Sequence, residues 1–311
     1  MEFLAQYGLF ALKAFTLVVA LLILIGGMLA LGKKPRPKLE ITPLNKERSD
    51  VQAKMLKAIH GQKLKTKKKS KTEQATCFVL DFMGDIKASQ VEQLRDEINA
   101  VLAIAKPEDE VVVRIESPGG SVNGYGLAAA QLQRIKDKNI RITACIDKVA
   151  ASGGYLMACV ADKIIAAPFA IIGSIGVVAQ IPNFHRLLQK NHIDVELLTA
   201  GEYKRTLTMF GENTDKARLK FKEDLELIHE NFRNYVLKNR QQLDMNKVST
   251  GEHWLAKDAL DLNLVDSLQT SDEYLNNKML SHNAFKITIH GKQSLVGKIL
   301  KPAAGLLHPW G

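Results

Sequence analysis

Hydrophobic and polar positions divide the chain into an apolar amino end, a basic stretch and a long body in which strand and helix patterns alternate. From Ala14 to Leu31, 18 consecutive residues carry no charged side chain and are rich in Leu, Val and Ile. As an α-helix this run would measure about 27 Å, close to the ~30 Å hydrocarbon thickness of a bilayer. The pattern predicts a transmembrane helix within a membrane anchor at residues 1–32.

A cleaved signal peptide is the alternative interpretation of this run, because the small residues around positions 30–32 would suit a signal peptidase. Four basic residues between positions 33 and 38 follow directly, and the amino end lacks a basic segment. These flanks favour a retained, single-pass anchor. By the positive-inside rule they also predict that the rest of the chain lies on the cytoplasmic side of the membrane.

Strand-like and helix-like patterns alternate through the body of the chain. Continuous apolar runs predict buried strands, and apolar residues three or four positions apart predict amphipathic helices. The predicted strands are ATCFVLDFMG (75–84), EVVVRI (110–115), IRITACI (140–146) and DKIIAAP (162–168), and the predicted helices cover 88–105, 124–138 and the residues after VAASGG (149–154). Three successive strand–helix units predict an α/β fold with a layered, parallel sheet.

The second half of the body is predicted to be more helical. An apolar strand is expected at VELLTA (195–200), a long helix from about Asp215 to Gln242, and a shorter helix near Trp254 to Asp261. The folded domain is therefore placed at residues 75–280. A basic tail at 281–311 follows, in which KITIHG is either an edge strand or part of a loose end.

The positive charge is concentrated in one segment. The net charge is +10, but residues 33–72 hold 14 Lys and Arg against three acidic residues, which leaves the remainder close to neutral. Residues 33–74, with a helix-compatible stretch near 51–60, are predicted to be a basic flexible linker. It either attracts anionic lipid headgroups or acts as a solvated spacer. No aromatic residue interrupts the lysine run to stack on a base, so no specific nucleic acid is expected.

The cysteine and histidine patterns favour neither a metal nor a cofactor. Three cysteines without a C-x-x-C pair indicate no disulfide framework and no zinc site. Cys77 and Cys145 lie in apolar runs, as buried cysteines do. The chain has no H-E-x-x-H and no G-x-G-x-x-G motif, so the expected metal is none and the expected cofactor is none.

Three glycine-rich turns and one lysine carry the candidate chemistry. ESPGGS (116–121) ends a strand, and its adjacent glycines can present backbone N–H groups to an oxyanion or to an extended peptide. Ser152 in AASGG lies at the mouth of a helix, where free N–H groups favour an alkoxide, although serine there is also a common N-cap. Lys204 in GEYK becomes a candidate base only beside a serine. Ser174 lies in GSIG, a turn suited to tight packing.

Together and in this order, the four segments resemble the signal peptide peptidase A family of Ser-Lys serine peptidases. The resemblance covers roughly residues 76–268 and depends on VRIESPGGSVNGYG, DKVAASGGYLMACVADKI, APFAIIGSIGVV and AGEYKRTLTMFGENT. It implies a crotonase and Clp-protease-like layered α/β fold, preceded here by one transmembrane helix. Longer members of the family carry this unit twice, and this chain carries it once.

The resemblance also implies a role for individual residues. Ser152 matches the nucleophile and Lys204 matches its general base. The other implied site residues are Ser174, which orients the lysine, Gly120 and Gly153, whose N–H groups form the oxyanion hole, and Gly119 and Ser121, which bind substrate. A serine needs a base to remove its proton, and a lysine serves as that base when apolar surroundings keep its amine neutral. The runs AIIGSIGVVA and VELLTAG are expected to supply those surroundings.

The expected function is that of a membrane-anchored serine endopeptidase acting on extended, apolar peptides, such as signal-peptide remnants or misfolded envelope proteins. The expected partners are peptide or protein substrates, the lipid bilayer and further copies of the chain. The family implies a homo-oligomer, in which adjoining subunits can each contribute a residue of the dyad. Alternatives are a non-hydrolytic, ring-forming membrane scaffold, a crotonase-type acyl-CoA enzyme, and a histidine triad for which His185 is the candidate.

The expected location is the bacterial inner membrane. Two indications of the side conflict, because members of the family work on the periplasmic side, whereas the basic residues after the apolar run favour a cytoplasmic domain.

Overall fold

The computed structural model of the chain describes residues 2–32, 38–61 and 74–290, of which 2–5 and 22–32 are described by their backbone alone. Within these ranges the helices are α1 (Glu2–Gly32), α2 (Leu44–His60), α3 (Val91–Leu102), α4 (Val122–Lys136), α5 (Gly153–Ala158), α6 (His185–Lys190), α7 (Asp215–Asn239), α8 (Met245–Val248), α9 (Ala256–Asp261) and α10 (Ser271–Lys278). The strands are β1 (Lys38–Pro43), β2 (Thr76–Met83), β3 (Glu110–Glu116), β4 (Arg141–Ile146), β5 (Val149–Ala151), β6 (Lys163–Ala166), β7 (Ile171–Gly173), β8 (His253–Leu255), β9 (Ser267–Leu268) and β10 (Asn283–His290).

The larger of two sheets has seven strands in the order β1-β10-β2-β3-β4-β6-β9. The pairings from β10 across to β9 are parallel, and in the central pair Val79 of β2 lies opposite Val112 of β3. The smaller sheet has the order β5-β7-β8, with β5 parallel and β8 antiparallel to β7. The sequence prediction of an α/β fold with a parallel sheet is confirmed.

Both faces of the large sheet are covered, which explains the continuous apolar runs of its strands. Val111 and Val113 of β3 face a core that includes residues of α3, α4 and α5. On the opposite face Val112 packs in a smaller cluster with Cys145 of β4 and Tyr274 of α10. Alternate residues of one strand therefore enter two separate cores.

The three cysteines are buried and free, as the sequence predicts for Cys77 and Cys145. Burial raises the pKa of Cys77 and that of Cys159 to about 12. It also raises the pKa of Cys145. The thiols therefore stay protonated at neutral pH.

Helix α1 is a continuous helix of 31 residues, and the side chains described in it, from position 6 to 21, are exposed. Within the part of the chain that the structure describes, no helix meets the length and hydropathy needed to cross a membrane. The expected transmembrane helix is therefore not confirmed. Residues 40–288 form a compact unit that is separate from the one containing α1.

The segment predicted as a linker at 33–74 contains ordered structure, namely β1 and α2. The Asn45 side chain holds the start of α2 in place, because its amide donates to the carbonyls of Met279 and His282, each at 3.0 Å. Its amide oxygen accepts from Ala284 N at 2.7 Å. A flexible linker is therefore wrong for residues 38–60. The lysine-rich run at 62–73 lies outside the described residues.

The segment that follows α10 differs from both sequence alternatives. Residues 283–290 form β10, which lies between β1 and β2 as an inner strand rather than at an edge or in a loose end. Parallel pairing of Phe285 with Phe78 and of Ala284 with Cys77 fixes its register. The remainder of the predicted tail, 291–311, lies outside the described residues.

The predicted strand VELLTA does not form. Residues 193–199 have no regular secondary structure, because neither sheet places a strand beside them to pair with their backbone. Their apolar side chains are exposed, and that of Leu198 is 89% exposed. The predicted helix near Trp254 begins later, at Ala256, because Trp254 lies in β8 and pairs with Ile172 of β7.

Candidate active site

Ser152 lies at the junction between the small sheet and α5. Strand β5 ends at Ala151 and α5 begins at Gly153. The backbone of Ser152 has φ 50° and ψ −116°, and its side chain makes no capping hydrogen bond. The N-cap interpretation of this serine is therefore wrong. A residue with a side chain in this left-handed region costs about 1–3 kcal/mol and persists only where its surroundings impose it, as they often do at active sites.

Backbone hydrogen bonds from both sides impose this conformation. Ser152 N donates to the carbonyl of Gly173 in β7 at 2.7 Å, and Leu156 N donates to the carbonyl of Ser152 at 2.9 Å. One bond ties the residue to the neighbouring strand and the other starts the helix. The side chain is half-buried, and its hydroxyl makes no hydrogen bond among the described residues. The hydroxyl is therefore available to a ligand.

The SPGG turn is joined to this junction by a bridge between the two sheets. Ser117 pairs with Ala150 as an isolated parallel bridge, in which Ser117 N donates to Val149 O at 2.9 Å and Ala151 N donates to Ser117 O at 3.0 Å. The turn that follows β3 is thereby placed directly beside the turn that follows β5. The two motifs, 30 positions apart in the sequence, meet at one site.

Gly119 lies against Ser152 and its neighbour. Its φ is +92°, and a Cβ at this position would lie 2.7 Å from Ser152 Cβ and 2.7 Å from Gly153 N. Both the conformation and the space therefore require glycine. Gly120 has a different constraint, since a Cβ there would lie 2.1 Å from the carbonyl oxygen of Ile86.

Of the backbone N–H groups at this place, two are hydrogen-bonded and two make no hydrogen bond among the described residues. Gly119 N donates to Ser117 Oγ at 3.0 Å and Ser121 N donates to Ile86 O at 2.8 Å, so both of these N–H groups already have an acceptor. Gly120 N and Gly153 N make no hydrogen bond among the described residues, and Gly153 is the first residue of α5, where N–H groups lack helical partners. This is the donor pair that the sequence predicts for an oxyanion hole.

Ser174 is also brought close to Ser152. Strand β7 pairs with β5 so that Gly173 lies opposite Ala151, and Ser174 is the next residue. Ser174 has φ 53°, and its N donates to the carbonyl of Glu252 at 2.6 Å. Two serines with left-handed backbones therefore occupy adjoining positions on neighbouring chain segments, Ser152 after β5 and Ser174 after β7.

Lys204 is not joined to this group within one chain. It lies in an exposed turn, where its N donates to Gly201 O at 3.2 Å. Its amine makes no hydrogen bond and no ion pair among the described residues, and none links it to Ser152. The apolar run VELLTAG that was expected to enclose the amine is itself exposed. The structure therefore brings the predicted nucleophile and the predicted donors together, but no hydrogen bond joins the predicted base to them.

Neither His185 nor His229 takes its place. His185 begins α6, where its backbone N donates to Asn183 Oδ1 at 3.2 Å, and no hydrogen bond connects it to Ser152. The ring of His229 contacts the carbonyl of Ile175 at 3.3 Å and not a serine. In the same residues no cluster of three or more His, Cys, Asp or Glu side chains is placed to hold a metal ion.

Sequence reasoning missed the residues that hold the glycines. Ser117 is wholly buried and gives the Gly119 N–H its acceptor, and Ile86 supplies the carbonyl that fixes Ser121. Ser117 lies inside the SPGG motif, so its position was a usable signal. Ile86 holds this turn through its backbone carbonyl, which no sequence pattern marks.

Comparison with known families matches nearly the whole chain. The model of "Peptidase family S49" matches residues 134–284, and that of "Peptidase family S49 N-terminal" matches residues 2–132. The chain belongs to peptidase family S49, and it is a peptidase. This confirms the family resemblance drawn from the sequence.

Individual relatives agree with this assignment. The chain is similar to a "Probable protease SohB" of Haemophilus influenzae, with 44% identity over 97% of this chain and 93% of the relative. It is also similar to a "Probable protease SohB" of Buchnera aphidicola, with 45% identity over 88% of this chain and 99% of the relative.

Replacing Ser152 tests whether its backbone is strained. Glycine tolerates φ 50° and alanine does not, so we expect Ser152→Gly to be more stable than Ser152→Ala by about 1 kcal/mol. Urea unfolding of the two variants, followed by circular dichroism, measures the difference. Equal stability, or a more stable alanine variant, would show that the conformation carries no strain.

Proposed function

We propose that the chain is a membrane-anchored serine endopeptidase in which Ser152 is the nucleophile and Lys204 is the general base. The observation that carries this proposal is the strained backbone of Ser152 beside the free N–H groups of Gly120 and Gly153. A structural turn has no need for an uncapped serine hydroxyl next to two unused donors. The small sheet that carries this serine beside a parallel sheet also supports a crotonase and Clp-protease-like fold.

In the proposed reaction Lys204 transfers protons in both the acylation and the deacylation steps. The Lys204 amine takes the proton of Ser152 Oγ as that oxygen bonds to the peptide carbonyl carbon. The N–H groups of Gly120 and Gly153 hold the resulting oxyanion. When the C–N bond breaks, the proton passes from Lys204 to the departing amine. A water molecule, activated by the same base, then hydrolyses the acyl ester and restores Ser152.

Substrates are proposed to be extended, apolar peptides, such as signal-peptide remnants or misfolded envelope proteins. The rim of the site supports apolar substrates, because Ile86 is 76% exposed directly beside Gly120 and Val122 is exposed one residue after Ser121. An extended chain laid along this rim would place apolar side chains against them. We propose that Gly119 and Ser121 shape this rim, since their N–H groups are already bonded.

The base is proposed to come from a neighbouring copy in a homo-oligomer. Two observations support this proposal. Lys204 is exposed, and its amine makes no hydrogen bond or ion pair among the described residues. In addition, the segment around Lys204 exposes many apolar side chains. These include Val178, Ile181, Phe184, Leu187, Ile193, Val195, Leu197, Leu198, Met209 and Phe210. A free monomer rarely exposes so many contiguous apolar groups, whereas an interface buries them. Burial there would also give Lys204 the apolar surroundings a neutral amine needs, and Ser174 would then orient it.

We expect Ser152→Ala and Lys204→Ala each to lower peptidase activity by at least about 10³-fold, because each removes one half of the dyad. Activity is measured on an apolar fluorogenic peptide, together with labelling of Ser152 by a serine-reactive probe. Lys222→Ala, which removes an exposed lysine from α7, is the control and should retain activity.

An active Lys204→Ala variant would disprove the dyad. Assembled wild-type protein that neither cleaves the peptide nor reacts with the probe would instead favour the non-hydrolytic scaffold.

Mixing the two inactive variants tests where the base comes from. If Ser152 and Lys204 of one site belong to different copies, random mixed oligomers of Ser152→Ala and Lys204→Ala should regain about a quarter of wild-type activity, since one in four sites would be intact. The variants are co-expressed and purified together. Recovery of no activity by oligomers shown to contain both variants would place the dyad within one chain.

We propose that α1 anchors the chain in the bacterial inner membrane. At about 1.5 Å per residue its 31 residues reach about 46 Å, and its described side chains are exposed and largely apolar. Water does not stabilise such a surface.

We expect the full chain to remain in the membrane pellet after alkaline carbonate extraction. Replacing both Val18 and Leu21 by Lys should release it, because each charge within a bilayer costs about 2.5–3.5 kcal/mol. Val51→Lys on α2 is the control and should stay in the pellet. A wild-type chain found in the supernatant would rule out the anchor, and protease digestion of spheroplasts decides the side.

A further inference from the structure

Tyr125 on α4 is wholly buried, and its hydroxyl lies between two loops of the candidate site. Tyr125 Oη donates to the carbonyl of Asp85 at 2.8 Å and is 2.5 Å from Ser117 Oγ. Gly84 closes over both groups, since a Cβ there would lie 2.4 Å from each hydroxyl oxygen. A side chain at position 84 would therefore clash with both hydroxyl groups.

The direction of each hydrogen bond follows from proton counting. A carbonyl can only accept, so the single hydroxyl proton of Tyr125 goes to Asp85 O. Ser117 Oγ must then donate to Tyr125 Oη, which leaves a lone pair of Ser117 to accept from Gly119 N at 3.0 Å. The chain of bonds runs one way, from Gly119 N–H through Ser117 and Tyr125 to Asp85. Burial raises the pKa of Tyr125, so it keeps the proton that this order requires.

This series of hydrogen bonds fixes the backbone on one side of Gly120. Before Gly120 in the sequence, Gly119 N donates to Ser117 Oγ. After it, Ser121 N donates to Ile86 O at 2.8 Å. Asp85 and Ile86 belong to the same loop, so Tyr125 anchors both the loop and the turn that it holds. Gly120 N, between these two bonded groups, makes no hydrogen bond among the described residues.

The ring of Tyr125 fixes the second donor. A Cβ on Gly153 would lie 2.3 Å from Cγ of this ring and 2.8 Å from Tyr125 Cβ, so the first residue of α5 packs against the base of the tyrosine ring. Phe82 supports the ring from the side, with the ring centroids 6.1 Å apart in an edge-on arrangement. One buried side chain thus touches the supports of both free N–H groups.

We propose that Tyr125 is the positioning residue of the oxyanion hole, acting on Gly120 through Ser117 and on Gly153 through its ring. The proposal rests on the proposed peptidase function for its catalytic consequence, but the positioning itself is a property of the fold. A tyrosine that served only to fill the core would have no reason to direct its hydroxyl bonds at the loops of the site.

Tyr125→Phe in the full-length, assembled protein removes the hydroxyl and keeps the ring. We expect kcat to fall about 10- to 100-fold with KM within a factor of two, since the loss of a whole oxyanion donor costs about 10²–10³. We also expect faster amide hydrogen exchange across residues 117–125, measured by mass spectrometry. Ser117→Ala should behave similarly, and the double variant should be little worse than either single variant because both act through one chain of bonds.

Tyr155→Phe is the matched control. Tyr155 is also wholly buried, and its hydroxyl donates to a single carbonyl, that of Leu264, at 2.9 Å. It should lower the melting temperature as Tyr125→Phe does, but leave kcat and the exchange of residues 117–125 unchanged. Equal kcat losses in the two tyrosine variants would reduce the role of Tyr125 to general stability and overturn the proposal.

Hydrogen exchange separates this proposal from the peptidase function. Unchanged exchange of residues 117–125 in Tyr125→Phe overturns the positioning role whatever the activity. A wild-type protein that shows no peptidase activity and no labelling of Ser152, while exchange in the variant still rises, overturns the peptidase function and leaves the structural role of Tyr125 standing.

Discussion

The bridge between Ser117 and Ala150 is the contact on which the site depends. It consists of two backbone hydrogen bonds, from Ser117 N to Val149 and from Ala151 N to Ser117, and it joins the end of a strand in the large sheet to a strand of the small one. Without it the SPGG turn and the Ser152 turn would be loops on separate sheets. With it, glycine is required at position 119 because the two backbones approach so closely.

Periodicity predicted most of the fold because the strands and helices near the site are strongly patterned. Apolar runs such as EVVVRI are buried on both faces, so they indicate parallel strands whatever their neighbours. The same signal was misleading at VELLTA, which is as apolar as a strand but has no strand beside it to pair with. Strand pairing depends on tertiary structure, which a local sequence pattern does not specify. Asn45, which holds α2 to the end of α10, is invisible for the same reason.

The sequence named candidate residues for the site but not how the fold brings them together. Motif order identified Ser152, Ser174 and the two donor glycines, and the fold places them together. It did not reveal that Gly119 and Ser121 have already used their N–H groups, since this depends on Ser117 Oγ and on the Ile86 carbonyl. Nor did it show Lys204 exposed and apart from Ser152.

The three buried cysteines have a consequence for where such a protein can work. Their thiols are enclosed, unpaired and held protonated by burial, and oxidants react with the exposed thiolate rather than with such a group. The fold therefore neither requires a reducing environment to keep them apart nor gains stability from an oxidising one. The same fold can therefore persist in an oxidising or a reducing compartment.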